Sequence, residues 1–219
     1  MQEEYKTVYR GGEGEIVEKK SRFIATVRPV HSEEEVLAFI EEVKKKYWDA
    51  RHNCFAYVIG VTNPTLRCSD DGEPAGTAGK PMLDVLLGED MYNTAVVVTR
   101  YFGGTLLGTG GLVRAYTAAT IEGLKNSKSI ARIHGVKLGI ETNYTDLGKI
   151  QYLIANRNLD QLEPVYTDKV EMTVFVPTDE MGSLRAELME GTNGQVVLDE
   201  ETTCWFARTE DGIKIFDEE

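Results

Sequence analysis

The sequence predicts an α+β fold in two domains. Three observations carry that expectation. The 219 residues mix strand and helix patterns, and the length suits two domains. From about His134 the pattern runs strand-helix-strand-strand-helix-strand, the order of the ferredoxin-like fold. Charge is split: residues 1–133 hold 17 Lys and Arg against 18 Asp and Glu, whereas residues 134–219 hold 7 against 18. The expected domains are therefore 1–133 and 134–219, with "NSKSIARIHG" as the boundary.

The elements follow in order. "SRFIATVRPV" (Ser21–Val30) reads as a strand. Ser32 with Glu35 has capping-box spacing, and Val36, Leu37, Phe39, Ile40, Val43 and Tyr47 then recur at helical spacing. "CFAYVIGV" is a strand, Asn63-Pro64 a turn, and "TLRCSD" a returning hairpin arm. "DDGEPAGTAGKP" is a loop that leads into a short helix from Pro81 to Leu87. "YNTAVVVTRYF" is a strand, and a helix follows from about Gly110 to Lys125. In the second half, "GVKLGIET" is a strand, and Asn143 or Thr145 caps a helix through "DLGKIQYLIANRN". "QLEPVYTD" and "KVEMTVFVP" form a hairpin, Thr178 or Asp179 caps a helix through "EMGSLRAELMEGT", and "GQVVLDEETTCWFAR" is the last strand.

Composition narrows the class. With 42% hydrophobic and 27% charged residues, the chain reads as globular. No apolar run approaches the roughly 18 residues of a membrane helix, so no membrane partner is expected. Cys54, Cys68 and Cys204 are odd in number and widely spaced, which suits a reducing cytoplasm better than a disulfide framework or zinc site. The polar "MQEEYKTVYRGGEGE" has no signal-peptide core, and a cytoplasmic location is expected. The net charge of −12 lies almost wholly in the second half, where it either keeps that domain soluble or marks a surface that repels nucleic acid. Any RNA contact therefore falls to the first half.

The most distinctive stretch is "TRYFGGTLLGTGGLVRAY" (Thr99–Tyr116). Gly103, Gly104, Gly108, Gly110 and Gly111 lie between a strand and a helix, flanked by Arg100-Tyr101 and Arg114. Glycine frees the backbone for positive φ and close approach, and a helix N-terminus attracts anions. Arg114 stands one turn into the helix and can fold back toward the loop. A second reading is purely architectural: glycine allows helix and sheet to pack closely. The stretch is neither a Walker A loop nor a complete G-x-G-x-x-G fingerprint.

A second constellation joins Arg51 and His52 with Asp70, Asp71, Glu73 and Lys80. The three carboxylates suit either Mg²⁺ or Asx-turn chemistry. His52 reads as a general base or as a hydrogen-bonded structural residue. Cys54 follows the pattern of a buried, inert thiol. No catalytic set of nucleophile, base and oxyanion hole can be assembled, so no catalytic residue and no cofactor are assigned.

"HNC" (His52–Cys54), "DDGEPAGTAGKP" (Asp70–Pro81) and "RYFGGTLLGTGGLVRAY" (Arg100–Tyr116), with the "GKPMLDVLL" helix between the last two, resemble the IMPACT family in its bacterial, YigZ-like form. Ala75 stands where the family pattern has serine. The resemblance covers both halves. It implies a first domain similar to the second domain of a small-subunit ribosomal protein, an α/β sandwich, and a second domain similar to a ferredoxin-like domain of elongation factor G. The family's eukaryotic members inhibit a kinase-activating step in translational control. The resemblance does not extend to their extra N-terminal domain, so its ribosome-associated partner is not expected here.

Three functions are therefore open. One is a non-enzymatic, RNA- or ribosome-associated regulator that contacts phosphate through Arg51, His52, Lys80, Arg100, Arg114 and the loop glycines, with Tyr101 or Phe102 against a base. The second is a phosphate-ligand binder or enzyme, with Mg²⁺ on Asp70, Asp71 and Glu73. The third leaves the loop architectural and gives function to a protein partner of the acidic domain.

Overall fold

The computed structural model describes residues 3–216 and is α+β throughout. The chain divides into two compact units, one of Tyr5–Ile130 and the other of the residues before Tyr5 together with those from Ala131 on.

The first unit begins with two strands in a stretch where the sequence gives only a polar signal, β1 (Glu4–Arg10) and β2 (Glu13–Glu18). Then come β3 (Ser21–Pro29), α1 (Glu33–Lys46), β4 (His52–Ile59), β5 (Thr65–Ser69), α2 (Gly79–Gly88), β6 (Met91–Tyr92), β7 (Thr94–Tyr101) and α3 (Gly108–Lys125). A five-stranded antiparallel sheet has the order β2-β3-β7-β4-β5. β7 is central, and residues 94–100 are all buried. Its two faces are covered differently. Val96 and Val98 pack with Cys54, Ala56, Phe23 and Ala25 against Met82 and Leu86 of α2 and Leu112, Tyr116 and Ala119 of α3. Ala95 and Val97 pack with Tyr57 against Val36, Phe39, Ile40 and Val43 of α1. Period-two alternation therefore decides which cover each side chain meets.

Local signals explain several boundaries. Ser32 Oγ accepts from the Glu35 N–H at 3.2 Å, and the Glu35 carboxylate accepts from the His31 N–H at 2.8 Å. β2 and β3 join at Lys19-Lys20, both with positive φ, the conformation of a tight hairpin turn.

The second unit contains β8 (Lys128–Thr142, starting in the first unit's last residues), α4 (Tyr144–Asn156), β9 (Asp160–Gln161), β10 (Val165–Tyr166), β11 (Val170–Pro177), α5 (Met181–Gly191), β12 (Val197–Thr209) and β13 (Gly212–Phe216). β8 lies between β11 and β12, and β9 and β10 pair with the outer side of β11, all antiparallel. That is the ferredoxin-like order. Leu138, Ile140, Val170, Met172 and Val174 bury one face under Ile150, Ile154, Leu184 and Leu188.

This unit differs from the sequence reading in several details, and β8 begins at Lys128, ahead of the strand expected from Gly135. The strand expected in "QLEPVYTD" is split into β9 and β10 around Pro164, which has no N–H for a ladder. α5 has Glu180 at its N-cap position without a side-chain cap, so neither Thr178 nor Asp179 caps it. β13 extends the unit through a hairpin whose Gly212 has φ +104°.

Candidate anion-binding site

The end of the first sheet where β3 starts and β7 stops gathers the singled-out residues. Arg22 pairs with Tyr101, and both Phe23 and His52 pair with Arg100, across β3, β7 and β4. The glycine loop leaves from this end toward α3.

Arg100 is a correction. The sequence made it an open phosphate contact, but its residue exposure is 7%. β7 alternation puts it on the same face as Val96 and Val98, beneath α2 and α3. Its Nη1 lies 2.6 Å from Oε1 of Glu73, and the Tyr116 hydroxyl donates to the same oxygen at 2.8 Å. The guanidinium carbon sits 5.4 Å from the Phe23 ring centroid and 5.7 Å from that of Phe102. Burial pushes the Tyr116 hydroxyl far up, and neighbouring Cys54 and Glu73 add to the shift. Arg100 is thus the cation of a buried ion pair that ties loop, strand and helix together.

In the acidic cluster each carboxylate is engaged by protein donors, which is the turn-shaping alternative of the sequence reading. Asp70 accepts from the backbone N–H groups of Gly76 (2.8 Å), Ala78 (2.9 Å) and Gly79 (2.8 Å). Burial raises its carboxyl, but those three bonds outweigh it and hold the group below its ordinary value. Asp71 accepts from the Asn53 N–H at 2.7 Å, and Glu73 holds Arg100 and Tyr116. The cluster shapes the loop and caps α2. It does not present converging oxygens to a cation.

His52 is half-buried, and its Nδ1 lies 2.9 Å from the Asp71 carbonyl. The thiol of Cys54 lies 2.9 Å from the Asp70 carbonyl, and burial pushes it up to about 12. That is an inert structural thiol. Lys80 is exposed and forms an ion pair with Asp84 along α2, so it stands with its own helix. Arg51 is exposed just ahead of β4. Tyr101 lies on the opposite face of β7 from Arg100. Its hydroxyl donates to Asp49 at 2.7 Å, and Arg22 lies over its ring at 5.7 Å.

The glycine loop itself is open. Gly104, Thr105, Leu106, Gly108, Thr109 and Gly110 are exposed. Gly104 and Gly108 have φ of +83° and +70°, with free space where a side chain would start. Gly103 serves close packing: a Cβ there would overlap the Lys20–Ser21 backbone, and its N–H donates to Ser21 Oγ at 3.1 Å. The positive φ expected of the loop glycines is thus found at Gly104 and Gly108, and the close packing at Gly103. α3 starts without a side-chain cap and without an acidic residue in its first turn, whereas Asp70 fills the corresponding place on α2. Arg114 does fold back. Its Nη1 is 3.6 Å from the position a Gly110 Cβ would take. No Asp or Glu occurs between Asp90 and Glu122.

Sequence reasoning missed Lys19 and Lys20. They lie 83 positions or more before Gly103, and only the β3–β7 register brings the hairpin tip against the loop. Both are exposed, and among the described residues neither they nor Arg114 pair with a carboxylate. No described helix is long and apolar enough to cross a membrane.

Comparison with known proteins gives the following. The Impact N-terminal domain matches residues 19–124, and the Domain of unknown function (DUF1949) matches residues 140–195. The chain is 40% identical to "IMPACT family member YvyE" of Bacillus subtilis over 214 residues, 98% of this chain and 99% of that protein. It is 36% identical to "IMPACT family member YigZ" of Escherichia coli over 182 residues, 82% of this chain and 89% of that protein. A crystal structure described as that of a hypothetical protein superposes with a TM-score of 0.59 at 34% identity, covering 90% of this chain and 97% of that one.

Proposed function

The chain belongs to the IMPACT family, and on that premise we propose that it is an RNA- or ribosome-associated regulator of translation, acting by binding rather than catalysis. Phosphate meets the face formed by the glycine loop, the open N-terminus of α3, Arg114 and the Lys19-Lys20 turn. Arg51 extends the same rim.

One observation carries the reading. Of the two helix N-termini in the first unit that lack an N-cap side chain, one is filled by the chain's own carboxylate and the other is open under an unpaired arginine. Asp70 on α2 shows what such a terminus accepts. α3 leaves the equivalent donors to an external anion. The acidic second unit keeps nucleic acid to this one face through repulsion.

The test is co-sedimentation of the full chain with ribosomes, wild type against Lys19→Ala/Lys20→Ala/Arg114→Ala, at low salt and near about 150 mM. Pelleting of wild type that is lost in the variant supports the reading. Equal pelleting removes the face from it, and no pelleting of either protein removes the ribosome.

A further inference from the structure

We infer that Phe102 is a preorganised stacking platform for an unpaired base, so that the anion held by this face is single-stranded RNA rather than a bare phosphate compound. The inference rests on the anion-binding reading above and names its ligand class.

Phe102 is 57% exposed, yet the backbone on both sides of it is fixed. On one side stands Arg100, whose guanidinium lies 5.7 Å from the Phe102 ring centroid and is itself held by Glu73 at 2.6 Å. On the other side Gly103 is packed on the Lys20–Ser21 backbone and bonded to Ser21 Oγ. The ring therefore has a defined place, a cation beneath it, and more than half of its surface in water. Leaving an ordered aromatic ring exposed forgoes the burial that normally fixes such a side chain. Stacking on a flat base recovers that surface without ordering the ring anew.

The surroundings select the occupant. The open amides of α3, Arg114, and the Lys19-Lys20 turn next to Gly103 supply positive potential to the strand on either side of a stacked base. An apolar protein segment would leave these unpaired cations without partners. Arg100, buried and neutralised by Glu73, acts as a positioning residue for the ring and not as a phosphate contact.

The experiment measures fluorescence anisotropy of the full chain with a labelled oligo(U) and with an abasic strand of the same length and charge. Wild type is compared with Phe102→Leu and Phe102→Trp. Phe102→Leu should weaken oligo(U) by about 5- to 100-fold, leave the abasic strand unchanged, and be rescued by Phe102→Trp. Equal binding of the two strands by wild type, with Phe102→Leu without effect, overturns the platform and leaves the anion face standing. An equal loss for both strands in Phe102→Leu also overturns it, because the ring then acts only by shaping the loop. No binding of either strand by wild type at low salt overturns both readings together.

Discussion

Replacing Glu73 by Ala tests the buried node most sharply. Its carboxylate side chain is 3% exposed and that of Arg100 is 8% exposed, so the substitution strands a guanidinium in the interior. Losing one partner of a buried pair costs about 3–5 kcal/mol, against about 0–1 kcal/mol for an exposed pair. Tyr116 loses its acceptor in the same step. For a unit the size of Tyr5–Ile130 this lowers the melting temperature by about 10–20 °C. Urea denaturation followed by circular dichroism gives the loss, and hydrogen exchange locates it in β4, β7 and α3, with α4 and β11 unchanged. Glu73→Leu combined with Arg100→Met removes both charges and should return to within about 2 kcal/mol of wild type. Tyr116→Phe keeps the ion pair and should cost only about 1–2 kcal/mol. A loss below about 1 kcal/mol for Glu73→Ala, with no coupling to Arg100→Met, would refute the buried pair.

Further outcomes follow from the same structure. Asp70→Asn should cost about 1–2 kcal/mol through the weakened cap on α2, and it should alter the acid limb of stability. Hydrogen bonds hold the folded carboxyl below its unfolded value, so its stabilisation is complete above the unfolded pKa and disappears as pH falls through the lowered one. Superimposable acid-unfolding curves for wild type and Asp70→Asn would contradict this. Gly103→Ala should cost about 2–3 kcal/mol because the added methyl meets the Lys20–Ser21 backbone, whereas Gly88→Ala meets free space and should be nearly neutral in chemical denaturation. Equal stability of the two variants would show that the loop does not lie on the hairpin. Thiol labelling with mass-spectrometric readout at about pH 8 should modify exposed Cys68 well before Cys54, whose thiol is buried and pushed up to about 12. Rapid labelling of Cys54 in folded protein would contradict its assignment.

The helices and most strands were legible because periodicity and caps are local. Ser32 and Asn143 cap as read, and the apolar run from Thr94 to Thr99 is the buried central strand. The first two strands escaped because "EYKTVYR" and "EGEIVE" owe their form to pairing partners more than to strong patterning. The site was legible only as a set of segments. Arg100 and Glu73 are 27 positions apart, and their union depends on which face of β7 Arg100 occupies. A signal was available: Arg100 shares the parity of Val96 and Val98, so an arginine on a core face required a buried partner. No comparable signal pointed to Lys19 and Lys20. Their proximity to Gly103 depends on strand register, which is set by the assembled sheet.

The central claim is that this face binds phosphate through Lys19, Lys20 and Arg114. The most direct measurement is the slope of log K against log salt for oligo(U) binding, in wild type and in Lys19→Ala/Lys20→Ala/Arg114→Ala. Each lost phosphate contact on a single strand changes the slope by about 0.7, so the triple variant should be shallower by about 2. An unchanged slope, with unchanged affinity at low salt, would place the anion elsewhere and contradict the account.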